Sequence, residues 1–417
     1  MKMIRLTRKV KKKILAARHV RDAEAERIAA KIVSDVCRRG DTALFFWTRR
    51  LDHIDLRHER VWITPREIRA ARRRVTAEFV NALRHAARNI RRVAQKQLPQ
   101  PWSFVVEPGV KISQLVRPIE SVGCYIPGGR NALVSTLLMT VIPAQVAGVR
   151  HIVVVCPRPN DELLAASAML GITKIARIGG AHAIAALAYG TRTIPRVEKI
   201  FGPGNRFVTA AKHLVSADCA IDLPAGPTEA IVLANTGNAR WIAADLLAQA
   251  EHAEDAASYL VTTSAKLAKE VQREMDAQLA KLPKESPAHQ STRRAGAIVV
   301  ANSVHGMVDF VNDFAPEHLT LLGGLRSQLR NISSAGTIFL GEWSAQPIGD
   351  YASGSNHVLP TGGWARRRGG LSAADFVRRI NLQTIEQKGF ARVGPVVQAL
   401  ARAEGLRGHE AAITVRQ

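Results

Sequence analysis

The spacing of hydrophobic positions changes along the chain, and each change predicts a different kind of element. Over residues 23–38 apolar positions recur every three to four residues opposite a charged face, predicting an amphipathic helix that stops at Gly40 in "RRGD". A second helical stretch is predicted over residues 65–97, so the first hundred residues read as helices. "LPQPW" ends that pattern, and "VVEPGVKISQLVRPIESVGCYIPGG" reads as short strands and turns. From about Ser135 helix and strand alternate: "STLLMTVIPAQVAGV" precedes "HIVVVC", "DELLAASAML" precedes "KIARIGG", and "AHAIAALAYG" precedes "VEKIFGPGN". A second unit repeats the alternation through "EAIVLAN", "ARWIAADLLAQAEHA", "SYLVTT", "SAKLAKEVQREMDAQLAKL" and "GAIVVAN". That order predicts an α/β chain with parallel sheets covered by helices, in two successive units with a cleft between them. From about Arg366 a basic loop and then a helix form an appendage.

Length and composition narrow the picture. A chain of 417 residues implies two or three domains, and its 47% apolar content fills their cores. No apolar run approaches the ~20 residues of a membrane span and no signal-peptide core is visible, which gives a cytoplasmic reading. Cys37, Cys124, Cys156 and Cys219 are far apart without metal-site or disulfide spacing, and are expected to be buried free thiols. Cys124 in "VGCYIPGG" has no adjacent base to make it a nucleophile. The formal net charge of +24 is concentrated at the front: residues 1–100 carry 27 Lys and Arg against 10 Asp and Glu. Such a region can bind nucleic acid, but it lacks interleaved aromatic platforms, and solvated helical faces are the simpler account of it.

Several polar groups stand out against this frame. Glu317 and His318 follow Pro316 in "FVNDFAPEHLTLL", where the chain must leave a helix before entering an apolar strand. Such a junction carries either chemistry or two solvated side chains. Gln249 and His252, three apart at a helix end, are able to converge on one atom, as a metal half-site or as a surface pair. Asp350 and His357 share the Gly/Ser-rich loop "QPIGDYASGSNHVLPTGG", which suits a metal-ligating carboxylate or an Asx turn. Glu404 and His409 flank Gly405 near the C-terminus. The turns "YIPGGR", "RIGGAH", "FGPGNR" and "LPAGPTE" permit close backbone approach to a ligand, yet none is the dinucleotide fingerprint or a Walker loop.

Taken in order, "YIPGGR", "GPGNRFV", "DLPAGPTE", "DLLAQAEH", "APEHL", "GDYASGSNHVLPT" and "EGLRGHEAAITVR" resemble the histidinol dehydrogenase family, from "DVCRRGDTAL" to the C-terminus. The resemblance implies two incomplete Rossmann-like domains, with a helical N-terminal region and a small C-terminal extension. In that arrangement residues 1–113 pack with 226–365, 114–225 form the second domain, and 366–417 reach the partner subunit's site. It implies one Zn²⁺ per subunit on Gln249, His252, Asp350 and His409, the last from the partner of an intertwined homodimer. Glu317 and His318 take the catalytic positions. Thr228 and Glu404 join the zinc and catalytic residues in substrate binding, His357 lies in the substrate-side loop, and Tyr125, His182 and Asn205 line the NAD cleft.

The implied reaction oxidises L-histidinol through the aldehyde to L-histidine with two NAD. His318 suits removal of the alcohol proton and Glu317 suits activation of water, with zinc as a clamp on the substrate. The chain departs from the family with His182 for Gln, Thr228 for Ser, Val134 for Pro and Gln145 for Lys. Three other readings compete: a relative oxidising another small alcohol, a zinc hydrolase, and a basic nucleic-acid-binding protein. Glu404 and the complete "EGLRGH" tail favour histidinol over a sulfonated alcohol, because a carboxylate suits a substrate ammonium.

Overall fold

The computed structural model describes residues 1–18, 22–128, 132–223 and 226–417; Gly129 and Arg130 of "YIPGGR" and Pro224 and Ala225 of "DLPAGPTE" lie outside the described residues. In chain order the strands are β1 (Lys2–Arg5), β2 (Trp102–Glu107), β3 (Val110–Pro118), β4 (Ser121–Tyr125), β5 (His151–Val155), β6 (Ile175–Ala176) and β7 (Lys199–Phe201). They continue with β8 (Ala220–Ile221), β9 (Glu229–Leu233), β10 (Ala257–Thr262), β11 (Ala297–Val300), β12 (His318–Leu321), β13 (Thr337–Leu340) and β14 (Val377–Ile385).

Two all-parallel sheets form the frame. One runs β6-β5-β4-β7-β8 and the other β1-β11-β10-β9-β12-β13. Counted by order of appearance, the first sheet and the last five strands of the second both read 3-2-1-4-5. This is the doubly wound nucleotide-binding order without its sixth strand, occurring twice. The two sheets are thus the predicted α/β, incomplete Rossmann-like units. Their central strands are apolar because helices cover both faces: every residue of β9 and β10 is buried. For the same reason helices Val134–Ala147 and Gly180–Tyr189 are buried almost all round.

Several elements differ from the sequence expectation. The basic N-terminus begins with a strand, β1, whose Ile4, with Leu6 just after it, packs against the core of the larger sheet. The stretch 65–97 is two helices, Pro65–Arg74 and Ala77–Gln97, because Thr64 and Thr76 each cap a new start. Helix Arg206–Val215, begun by the Asn205 cap, was hidden behind the turn "GPGN". The appendage contains β14, antiparallel to β3 along its whole length. Packing differs too. Ile32, Val33 and Val36 meet Ile184, Val208 and Ala211, while Leu83, Ala87 and Ile90 join the core beneath Leu137 and Ile142. The helices of residues 23–97 therefore sit on the smaller sheet, and only the first 18 residues join the larger one.

Cys124, Cys156 and Cys219 are buried, whereas Cys37 is exposed on its helix. Burial pushes the Cys124 thiol up to about 12, which rules it out as a nucleophile. The Lys and Arg of residues 1–100 lie mostly on solvent faces. Among the described residues no helix is long and apolar enough to cross a membrane.

Arg18, at the end of the N-terminal arm, ties that arm to the start of β9 and the end of helix Val304–Phe314. Its Nε and Nη2 donate to Glu229 Oε1 (2.6 Å) and Oε2 (2.5 Å), its Nη1 donates to the Phe314 carbonyl, and its guanidinium lies 3.5 Å from the Phe314 ring centroid. Glu229 opens β9, and its Oε2 also accepts from Gly362 N at 3.2 Å. Both side chains are buried, so removing one partner strands a charge. Arg18→Met is predicted to destabilise the protein by about 3–5 kcal/mol, with much of the loss recovered in Arg18→Met/Glu229→Gln, as read from urea unfolding.

Candidate active site

Helix Val304–Phe314 ends because Pro316 bars helix at Ala315, which takes the left-handed conformation (φ 50°) uncommon for a residue with a Cβ. The turn delivers Glu317 and His318 to the start of β12, beside the start of β9. Gly336 permits this approach, since a Cβ there would stand 2.5 Å from the Glu317 carbonyl oxygen. The pair therefore lies at the amino ends of the strands where the sheet order reverses, not at the carboxyl ends that hold ligands in doubly wound sheets.

Glu317 is 6% exposed and its Oε2 accepts from Thr228 Oγ1 (2.5 Å) and Glu229 N (2.9 Å). Burial raises its carboxyl above the usual range, only partly offset by His318 and these hydrogen bonds. The buried His318 ring lies between two acids, Nδ1 3.8 Å from Glu317 Oε2 and Nε2 3.6 Å from Asp350 Oδ1. Those are ion-pair separations too long for hydrogen bonds, so both ring nitrogens are buried without a hydrogen-bond partner. Burial pulls His318 down, but the flanking carboxylates outweigh it and the net shift is upward. Burial would raise Asp350, yet His318 beside it holds it below its ordinary value.

Gln249, in the last turn of helix Ala239–Ala250, is fully buried: its Nε2 donates to Thr228 Oγ1 (2.7 Å) and its Oε1 accepts from Gln346 Nε2 (2.6 Å). His252, just beyond that helix, is exposed, with Nδ1 3.0 Å from the Ala248 carbonyl. Donation from Nδ1 leaves Nε2 with a free lone pair, the arrangement of a metal-bound histidine. The Asp350 main-chain oxygen accepts from His357 Nδ1 (3.0 Å), and His357 Nε2 reaches Thr136 Oγ1 (3.3 Å) on the smaller-sheet side.

The structure thus gathers Thr228, Gln249, Glu317, His318 and Asp350, with His252 beside them. It does not bring Glu404 or His409 to this site. Both are exposed on the tail, whose helices Gln387–Ala403 and Arg407–Thr414 pack on each other. Among the described residues no three His, Cys, Asp or Glu side chains lie together as a metal site. The Gln249 amide oxygen, which accepts from Gln346, the His252 Nε2 and the Asp350 carboxylate are donor types that zinc accepts.

At the carboxyl edge of the smaller sheet lies a cleft of about 670 Å³, lined by Tyr125, Asn205, Gly180 and Phe207 among others. Gly202 lets β7 approach β4 here, since a Cβ would meet the Tyr125 carbonyl oxygen at 2.1 Å. The Tyr125 hydroxyl accepts from Gly180 N (3.2 Å), and Asn205 caps helix Arg206–Val215. His182 is fully buried beneath Gly180 and Ala181 and does not line the cleft; its Nε2 lies 2.9 Å from Asp52 Oδ2.

Sequence reasoning missed Glu229, Arg18 and Gln346. An acid opening the all-apolar run "EAIVLAN" was a signal for the first, because a buried carboxylate needs a partner. Nothing in the sequence pointed to Arg18 or Gln346.

Two doubly wound units, an acid–imidazole–acid row at one switch point and a cleft at the other define an α/β protein with a nucleotide-binding frame and a candidate catalytic site. The histidinol dehydrogenase family model matches residues 15–417. The chain is 45% identical over 387 residues to a histidinol dehydrogenase of Methanothermobacter thermautotrophicus, covering 91% of this chain and 90% of the relative. It is 45% identical over 392 residues to one of Halalkalibacterium halodurans, covering 92% of each. The crystal structure of histidinol dehydrogenase from Elizabethkingia anophelis superposes with a TM-score of 0.94 at 37% identity, covering 100% of this chain and 98% of that one. The chain belongs to the histidinol dehydrogenase family, oxidoreductases of histidine biosynthesis.

One more acid distinguishes the site's supporting helix. Burial pushes Asp245, one turn before Gln249, up to about 6. Its folded value lies above its unfolded one, so it favours the folded state least once pH has risen through 6. At ~1.4 kcal/mol per unit, discounted for partial exposure, Asp245→Asn is predicted to stabilise the protein by about 2 kcal/mol at pH 8 and by little at pH 4. Thermal unfolding at the two pH values reads the difference.

Proposed function

We infer that this protein oxidises L-histidinol to L-histidine through the aldehyde, in the cytoplasm, using two NAD and one zinc ion per subunit. The observation that carries this reading is the buried His318 between Glu317 and Asp350, its nitrogens free of hydrogen bonds. Zinc on Gln249, His252 and Asp350, completed by His409 of a second copy, would supply a Lewis-acidic anchor for the substrate, and NAD would accept hydride.

The remaining work belongs to the chain's own side chains. His318 takes the alcohol proton at a ring nitrogen as hydride leaves the carbon, and the neighbouring carboxylates stabilise the imidazolium that results. The product aldehyde then needs water. Thr228 and the Glu229 amide fix Oε2 of Glu317 and leave Oε1 to draw a proton from that water. His318 removes a proton from the hydrate as the second hydride departs, giving the carboxylic acid. The carboxylate of Glu404 suits the substrate ammonium. With the purified, zinc-loaded protein, L-histidinol is expected to yield two NADH per molecule. Glu317→Gln is expected to slow oxidation of the aldehyde by about 10²–10⁴-fold while retaining alcohol oxidation. Turnover of a different alcohol with none of histidinol would move the activity to a sister substrate.

An intertwined homodimer accounts for the exposed tail. Val396, Leu400 and Leu406 present apolar surface to solvent, and an apolar hollow of about 530 Å³ opens beside Asp350 between Leu83, Leu138 and Tyr351. Mixing inactive His409→Ala and Asp350→Ala chains, unfolding and refolding them together, is predicted to restore about a quarter of wild-type activity. Random pairing puts one intact site in each mixed dimer. If the tail served its own chain, the mixture would stay inactive.

A further inference from the structure

The cleft at the carboxyl edge of the smaller sheet holds one acidic side chain among several basic ones. Arg27, Lys31, Arg50 and Arg158 line it, and among the described residues Asp52 is the single carboxylate. Phosphates of a dinucleotide would be drawn to those cations, which leaves the carboxylate to be explained. Asp52 ends a turn of π-helix, Thr48–Asp52, and His53 follows in the left-handed conformation (φ 57°). Such turns recur at functional sites. Asp52 is then held from two sides: Arg158 Nη2 donates to the Asp52 main-chain oxygen (2.6 Å), and the His182 ring holds Oδ2 at 2.9 Å. His182 is fully buried, and its Nδ1 lies against Gly180 without a partner. Among the described residues Oδ1 of Asp52 has no hydrogen-bond partner, and the side chain is 14% exposed.

We propose that Asp52 is the cofactor-selecting residue of this enzyme: its carboxylate accepts hydrogen bonds from the ribose diol of NAD and repels the 2′-phosphate of NADP, with His182 as its positioning residue. The proposal rests on reading this cleft as the cofactor site. The physical reason is the direction of donation. A diol has two O–H donors for a fixed carboxylate, whereas a 2′-phosphate replaces one donor with an anion. It also gives the His182 substitution a role. A histidine at this position cannot reach the cleft from beneath Gly180, but it can donate from Nε2 and fix the rotamer of the acid that does.

The test is calorimetric titration of the zinc-loaded enzyme with NAD and with NADP, beside steady-state constants for both. Asp52→Asn keeps shape and loses charge. It is expected to weaken NAD binding about 10–100-fold, tighten NADP, and leave the KM for histidinol unchanged. His182→Leu should weaken NAD in the same direction at unchanged kcat, and His182→Gln, which can still donate to Asp52, should restore it. Asn205→Ala separates the two levels of the argument. If Asn205→Ala weakens NAD but Asp52→Asn leaves both cofactors unaffected, the proposal fails and the cleft stands. If neither variant changes cofactor binding, the cleft itself is not the cofactor site. Weaker NAD in Asp52→Asn with no gain for NADP would overturn the selection against the 2′-phosphate.

Discussion

Burying carboxylates at the amino edge of a parallel sheet is the constraint around which this structure is arranged. Glu229 and Glu317 open, or immediately precede, the two strands at the switch point, and both are almost wholly removed from water. An unpaired buried carboxylate costs several kcal/mol, so each must be matched. Arg18 matches Glu229 from the far N-terminus, while the Thr228 hydroxyl, the Glu229 amide and the His318 ring match Glu317. The strand at residues 2–5 anchors the arm that carries Arg18. The loop after Asp350 is fixed for related reasons: Gly362 N reaches Glu229, Thr361 accepts from Gly226 N, and Asn356 donates to the Met139 carbonyl. One electrostatic requirement thus connects the N-terminal arm, the two central strands and the loop between the two sheets.

The two sheets repeat one strand order and use opposite edges. In the smaller sheet the carboxyl ends of β4 and β7 open onto the cleft, as doubly wound topology dictates. In the larger sheet the polar groups gather at the amino edge. Helix Ala239–Ala250 runs back antiparallel to its strands, so its last turn brings Gln249 and then His252 there, and helix Gln346–Tyr351 brings Asp350. This leaves His318 with two carboxylates and no hydrogen bond. Buried polar atoms without a hydrogen bond are rare in protein interiors and mark this histidine out, while Glu404 and His409 are exposed on the tail.

Much of this was legible along the chain, for identifiable reasons. Strands covered by helices on both faces read as continuous apolar runs, so β5, β9, β10 and β11 stood out. Pro316 marked the junction at Glu317 because the restriction it imposes is local. Spacing brought Gln249 and His252 to one helix end. β1 escaped because four residues with two charges carry no clear period, and the break at Thr76 escaped because a cap interrupts helical periodicity for only a residue or two.

What the sequence by itself determined is what short-range physics controls: the alternation of helices and strands, the turn before the Glu-His pair, the residue types able to act as base or ligand, and the ordered motifs of the family. Tertiary structure alone decided which sheet each helix covers, which strand edge holds the chemistry, and which charges meet. Arg18 and Glu229 are 211 positions apart and His182 and Asp52 are 130 apart. No periodicity spans such separations, because only the closing of two sheets and the cost of a buried, unpaired charge select those partners.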